Sequence, residues 1–235
     1  TGGTVTSGYW NSTNTGLSVS VPIDNDASLT DGTVQLKGKT GTNSYADLGS
    51  AVTITSSDLD GTILATATAA EFEALTGFAD AAADTITAVI TDKVGNSTTG
   101  TVSSTVLIID QTLSTMTITA AEGADGFTSN DATLMVTFTS SEATTNFVVG
   151  DITVTNGTLS SFSATSSTIY TATFTPSASS ATTIDVAAGT FTDAAGNNNT
   201  AANQFIWNYD TIGPTMMIAT TLEITPEVTT LAGSG

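Results

Sequence analysis

The sequence predicts an all-β protein built from two sandwich domains in tandem. Apolar and polar residues alternate over short stretches rich in Thr and Val, which is the period of half-buried strands. A six-residue motif also occurs twice, as TDKVGN at 91–96 and as TDAAGN at 192–197, and the segment 110–112 (DQT) is echoed at 210–212 (DTI). A repeat of about 100 residues is the length of one sandwich domain.

The strands and turns follow from this pattern in order along the chain. The alternation is clearest at 17–21, 33–36, 52–54, 85–90, 134–138 and 171–174. Between these stretches lie dipeptides that supply positive φ in tight turns: Asp31-Gly32, Asp60-Gly61, Asp125-Gly126 and Asn156-Gly157.

One segment, 68–75, has the composition of a short helix. Thr68 is its expected N-cap and Gly77 its expected stop. Glu71 and Glu73 are two residues apart and do not share a helix face, so they do not form a paired-carboxylate active site.

The repeat places the domain boundaries. We predict a first sandwich at 1–112, a second at 113–212, and a linker and strand-like tail at 213–235. The tail is too short to bury a core of its own. Its apolar pieces, Met216 to Ile218 and Val228 to Leu231, indicate either the start of a further domain or a strand donated to another copy.

Composition excludes several classes of function. With 3 Lys and Arg against 22 Asp and Glu, the net charge is −19, so the chain cannot neutralise the phosphates of nucleic acid or an anionic membrane surface. Without Cys or His it has no thiolate site, no imidazole ligand and no usual general base. No stretch has the length of a transmembrane helix or the pattern of a signal peptide. A non-catalytic protein is expected.

Several segments of the second domain together carry a family resemblance. They are 138–142 (FTSSE), 150–157 (GDITVTNG), 170–176 (YTATFTP), the motif at 192–197 and Tyr209-Asp210. As a set they resemble the bacterial Ig-like repeats of large secreted adhesins and surface proteins. The first domain resembles a related repeat through 9–16 (YWNSTNTG) and 91–96, and 228–235 is similar to the opening of an NHL-type repeat.

The resemblance implies immunoglobulin-like β-sandwiches strung end to end in an extracellular, cell-surface or secreted stalk, often stiffened by calcium at the joints. Calcium takes six to eight oxygen ligands from carboxylates, amides and carbonyls. The candidate ligands are the acids and amides of the repeated motifs and of nearby strand ends: Asp92, Asn96, Asp110, Glu142, Asp151, Asp193, Asn197 and Asp210.

Two features qualify this candidate set. The loop before the last strand of a sandwich and the end of that strand lie at opposite poles, so Asp92 and Asp110 are not expected in one site. Lys93 also places a cation beside the first motif. The same motif is equally explained as a tight turn in which the Asp accepts hydrogen bonds from backbone amides.

The sequence therefore predicts a non-catalytic stalk or spacer of a bacterial-type surface protein. Its partners would be neighbouring Ig-like domains of the same chain or other copies of itself, and the resemblance leaves room for a host-surface or carbohydrate ligand. The alternative is a subunit that assembles into an extracellular filament or surface layer by strand donation.

Overall fold

The computed structural model describes residues 2–217, and these residues form two β-sandwiches with separate hydrophobic cores. The strands of the first sandwich are Tyr9–Asn11 (β1), Gly16–Pro22 (β2), Thr33–Thr40 (β3), Ala46–Thr53 (β4), Thr62–Thr68 (β5), Ala83–Thr91 (β6), Ser97–Thr99 (β7) and Leu107–Asp110 (β8). The strands of the second are Met116–Ala120 (β9), Thr128–Ser129 (β10), Leu134–Ser140 (β11), Ile152–Thr155 (β12), Gly157–Ala164 (β13), Ile169–Pro176 (β14), Ser180–Val186 (β15) and Phe205–Tyr209 (β16).

The second sandwich has two sheets of four strands each. One sheet has the order β13-β14-β11-β9 and the other β10-β16-β15-β12. Large aromatic side chains fill the space between them, and Phe138, Phe174 and Trp207 are fully buried there. The alternation of buried and exposed residues along β11 is the period-two pattern that the sequence predicts.

The first sandwich is less symmetric. Its larger sheet has the order β1-β8-β6-β3-β4, with β7 also paired to β6, whereas its smaller sheet contains only β2 and β5. In both sandwiches a short strand near the start lies parallel to the last strand: β1 pairs with β8, and β10 pairs with β16.

The predicted short helix is present as α1, Ala69–Glu73, which follows the N-cap Thr68. Its Phe72 is fully buried and packs on Trp10, with the ring centroids 4.5 Å apart. Two 3₁₀ turns, Ala27–Leu29 and Val149–Asp151, complete the elements of the described residues.

The four turn dipeptides occur where the sequence places them, but the residue with positive φ differs. At three of them it is the residue before the glycine, Asp31, Asp60 or Asn156, and only at the fourth is it the glycine itself, Gly126. At Gly157 the glycine is needed for space, because a Cβ there would lie 2.2 Å from the Phe174 ring. The strand-like pieces predicted at Ile218 and at 228–231 lie outside the described residues.

Candidate functional site

Three carboxylates from both sandwiches meet where the two domains join. They are Asp110, the last residue of β8; Glu142, two residues after β11; and Asp193, in the loop between β15 and β16. Each contributes a carboxylate oxygen, and these oxygens lie within 4.8 Å of one another. We call this group the carboxylate cluster.

Asp193 is held in place by its own loop. Its Oδ1 accepts hydrogen bonds from the backbone N–H of Ala195 and of Asn197, each at 2.9 Å, and its Oδ2 accepts one from Asn197 Nδ2 at 3.0 Å. Only 7% of Asp193 is exposed. The loop therefore forms a tight turn and also presents a fixed, buried carboxylate to the first sandwich.

The same loop fastens the second sandwich to the first through Asn197, which is fully buried. Asn197 Nδ2 donates to the carbonyl of Asp110 at 2.9 Å, and its Oδ1 accepts from the N–H and the hydroxyl of Ser12 at 2.8 and 2.7 Å. From the other side, Asn11 Nδ2 donates to the carbonyl of Ala195 at 2.8 Å. These bonds fix the distance between Asp110 and Asp193.

Gly196 is required at this contact. Its φ is +92°, and a Cβ there would lie 2.6 Å from the Thr6 hydroxyl and 3.2 Å from Asn11 Nδ2. A side chain at this position would both strain the turn and push the two sandwiches apart.

The cluster concentrates negative charge in partly desolvated surroundings. Burial, and then the charges of Asp110 and Asp193, raise the pKa of the Glu142 carboxyl to about 7. Burial raises the pKa of Asp110 as well, and the charge of Asp193 adds to this shift. Glu142 Oε2 is buried and accepts no hydrogen bond from any described residue.

No lysine offsets this charge. Lys37 pairs with Asp47, Lys93 pairs with Asp31 at 2.9 Å, and Lys39 lies over the ring of Tyr45. These are the three cationic side chains of the chain, and all of them contact other parts of the first sandwich.

Asp80 also belongs to this region, although no motif marks it. It lies in the loop before β6, and its carboxylate accepts hydrogen bonds from the N–H of Gln111, at 2.7 Å, and from the hydroxyl of Thr112. Its charge contributes to the raised pKa values of both Asp110 and Glu142. Only the strand topology could place Asp80 near Asp110, because the loop before β6 lies at the same end of the first sandwich as the end of β8.

The remaining predicted ligands lie elsewhere. Asp92 forms the same turn as Asp193, accepting from the N–H groups of Val94 and Asn96 at 3.0 and 2.8 Å and from Asn96 Nδ2 at 2.7 Å. The structure places this turn among Asp26, Asp31 and Lys93, apart from Asp110, in agreement with the expected opposite poles. The turn explanation accounts for the side-chain hydrogen bonds of Asp92 and Asn96 within the described residues.

Asp151 and Asp210 also have local roles. Asp151 accepts a hydrogen bond from the N–H of Val148 at 2.8 Å, where it caps the second 3₁₀ turn. Asp210 directly follows β16 and accepts from the N–H of Ile212 at 2.9 Å, as Asp110 accepts from the N–H of Thr112 at 3.3 Å. The repeated DQT and DTI segments therefore form the same turn at the end of each sandwich.

The donor set of the cluster fits a hard divalent cation. It consists of carboxylate oxygens, which calcium and magnesium prefer, and it contains neither the thiolates nor the imidazoles that zinc or copper sites use.

Two sandwiches of this topology define a tandem immunoglobulin-like fold. Residues 97–209 match the model of the bacterial Ig-like domain family, and this region includes the whole of the second sandwich. The match begins in β7, before the predicted boundary. No curated protein matches the chain. Among residues 2–217, no helix has the length and apolar character needed to cross a bilayer.

Proposed function

We propose that this chain is a non-catalytic spacer of an extracellular bacterial-type surface protein, and that calcium at the carboxylate cluster stiffens the joint between its two sandwiches. The observation that carries the proposal is the meeting of Asp110, from the first sandwich, with Glu142 and Asp193, from the second. Bacterial Ig-like domains are commonly structural modules outside the cell, which supports the same conclusion.

Cation binding at the cluster would make the joint more rigid, because the ligands come from different domains. Asp110 is the last residue of β8, and Asp193 is immobilised by its turn. Without a cation, repulsion among the three carboxylates opposes the Asn197 and Asn11 bonds that hold the joint closed. A bound calcium ion would neutralise this repulsion and link the two sandwiches.

Calcium is favoured over magnesium by the shape of the donor set. Asp110 and Glu142 are partly exposed, and Glu142 Oε2 has no hydrogen-bond partner among the described residues, so the ligands suit the flexible geometry that calcium accepts. Magnesium demands a near-ideal octahedron and retains several waters. We therefore expect the affinity of an extracellular calcium module, a Kd of about 10⁻⁴ to 10⁻³ M.

The test is thermal unfolding in chelator and in excess calcium, with magnesium as a second cation. We expect calcium at 100 times its Kd to stabilise the protein by about 2.7 kcal/mol. Glu142→Gln should remove most of this gain, whereas Asp60→Asn, which removes an exposed acid far from the joint, should leave it intact. An equal calcium response in the Glu142→Gln variant and the parent would overturn the proposed site.

The pH dependence of folding stability is an independent test of the role of Glu142. The folded-state pKa of Glu142, about 7, is above the ordinary value of 4.5, so its contribution to stability is present below about pH 4.5 and is lost as the pH rises towards 7. In chelator we expect Glu142→Gln to flatten this loss. In excess calcium the parent should gain stability over the same range, because the deprotonated carboxylate is the ligand.

A further inference from the structure

Glu73 ends α1, and one of its carboxylate oxygens is bonded to two separate segments of the first sandwich. Its Oε1 accepts a hydrogen bond from the indole Nε1–H of Trp10 at 3.1 Å and another from Gln111 Nε2 at 2.7 Å. Trp10 lies in β1, and Gln111 directly follows β8. The end of α1 therefore holds β1 and the start of the connection between the sandwiches against each other.

Both partners of Glu73 stand next to residues of the joint. Trp10 directly precedes Asn11, whose Nδ2 donates a hydrogen bond to the second sandwich. Gln111 directly follows Asp110, the acid that the first sandwich supplies to the carboxylate cluster. Asn11 and Asp110 are themselves paired in register across β1 and β8. Glu73 thus joins the residue before one joint contact to the residue after the other.

Gln111 is fixed at two points. Its backbone N–H donates to Asp80 Oδ1 at 2.7 Å, and its side chain donates to Glu73. The backbone of Asp110 therefore has a strand partner, Asn11, and a doubly anchored neighbour in the chain. A ligand whose backbone is held in this way loses less conformational freedom when a cation binds.

We propose that Glu73 is a positioning residue of the calcium site: by holding Trp10 and Gln111 together it sets the place of Asp110 in the carboxylate cluster. This inference rests on the proposed calcium function. Because the same oxygen holds Trp10, calcium binding at the joint should also change the surroundings of that indole ring. Glu73 itself is not a ligand, since it acts through its two hydrogen-bond donors.

Two substitutions separate the hydrogen bonds of Glu73 from its charge. Glu73→Leu removes the acceptor oxygen, whereas Glu73→Gln removes the charge and keeps an amide oxygen that can accept from both donors. Titration calorimetry measures the calcium Kd of each variant. We expect Glu73→Leu to raise the Kd about tenfold, the lower end of the effect of removing a group that orients a metal ligand, and Glu73→Gln to stay near the parent value.

A second variant controls for a general loss of stability. Ile54 is fully buried in the core of the first sandwich, and its carbonyl accepts a hydrogen bond from the N–H of Asp31, which pairs with Lys93 away from the joint. Ile54→Val should lower the melting temperature and leave the calcium Kd unchanged. A Kd for Glu73→Leu equal to that of the parent would overturn the positioning role.

Trp10 provides a measurement that needs no calcium. Its side chain is buried, so exchange of its indole proton with solvent depends on opening of the bond to Glu73. In chelator we expect faster exchange in Glu73→Leu and parent-like exchange in Glu73→Gln. With fluorotryptophan incorporated, Trp10 and Trp207 give separate fluorine resonances, and calcium should shift that of Trp10 in the parent but not in Glu142→Gln.

The outcomes distinguish this inference from the calcium function on which it rests. If the parent binds calcium and Glu142→Gln does not, an unchanged Kd in Glu73→Leu overturns the positioning role alone. If the parent binds no calcium, the proposed function is overturned and the inference with it. Faster indole exchange in Glu73→Leu would then mark a purely structural contact between α1 and β1.

Discussion

Asp84 is fully buried on β6 of the first sandwich, opposite Thr40 of β3. Neither carboxylate oxygen lies within hydrogen-bonding geometry of a described partner, and burial raises the pKa of the carboxyl. A buried charge without a full set of donors costs free energy. No feature of the local sequence, ADTITAVIT, distinguishes this acid from a solvated one at a strand end.

We therefore expect Asp84→Asn to stabilise the protein at pH 7 by roughly 1 to 3 kcal/mol, because the amide removes the buried charge. The raised pKa means that the contribution of Asp84 to stability is present at low pH and lost as the pH rises, so the gain should disappear in acid. Urea denaturation at several pH values measures this, with exposed Asp24→Asn as the control. A loss of stability at pH 7 would show that the charge has partners in solution.

At the scale of elements, α1 depends on a reciprocal cap. Thr68 Oγ1 accepts from the N–H of Glu71 at 3.3 Å, and Glu71 Oε2 accepts from the N–H and the hydroxyl of Thr68, both at 2.8 Å. A five-residue helix has little stability of its own, so the cap and the burial of Phe72 position it together.

Thr68→Ala should therefore cost about 1 kcal/mol of stability, the usual effect of losing an N-cap. Thr68→Ser keeps the hydroxyl and should cost much less, which makes it the matched control. Equilibrium unfolding followed by the fluorescence of Trp10, which packs on Phe72, reports on the first sandwich. Equal losses for the two substitutions would mean that the methyl group matters and the cap does not.

The elements themselves could be predicted from sequence, because strand alternation and the capping pattern are local. Residues 85–90 fall within β6, 134–138 within β11, and Thr68 is the N-cap. The carboxylate cluster was predicted only as separate residues within a larger set. Which acids meet depends on how one sandwich sits on the other, and that is decided by Asn197, Asn11 and Ser12.

Asp80 is a residue near the carboxylate cluster that the sequence does not predict. It stands outside every repeat and motif, and it approaches Gln111 only because the chain returns to the same pole 31 residues later. The motif at 91–96 and its copy at 192–197 fold identically, yet only the second lies at a described joint. Sequence similarity thus predicts the turn, and the neighbouring domain determines what the turn contacts.

At the scale of the whole molecule, the two cores share no residues, which favours two independently folding halves. The boundary at 112–113 is still a prediction. We expect that a protease site introduced between Gln111 and Ser114 will yield two folded fragments after cleavage, each somewhat less stable than in the intact chain because the joint bonds are lost. Far-ultraviolet circular dichroism and calorimetry of the separated fragments measure this.

Calcium provides the control for this experiment. The carboxylate cluster takes Asp110 from one fragment and Glu142 and Asp193 from the other, so calcium should stabilise the intact chain and have little effect on either fragment alone. An unfolded fragment would contradict the two-domain organisation, whereas a calcium response retained by one fragment would place the ions elsewhere.

The parallel pairing of β1 with β8 has a mechanical consequence. Because these are the first and last strands of the first sandwich, tension along the chain slides the pair lengthwise and loads all of its hydrogen bonds together, as in shear, instead of opening them one by one. In the second sandwich the parallel pair of β10 and β16 lies behind β9, which has five residue pairs with β11. A stretching force therefore reaches the parallel pair directly in the first sandwich, and in the second only after β9 has separated from β11.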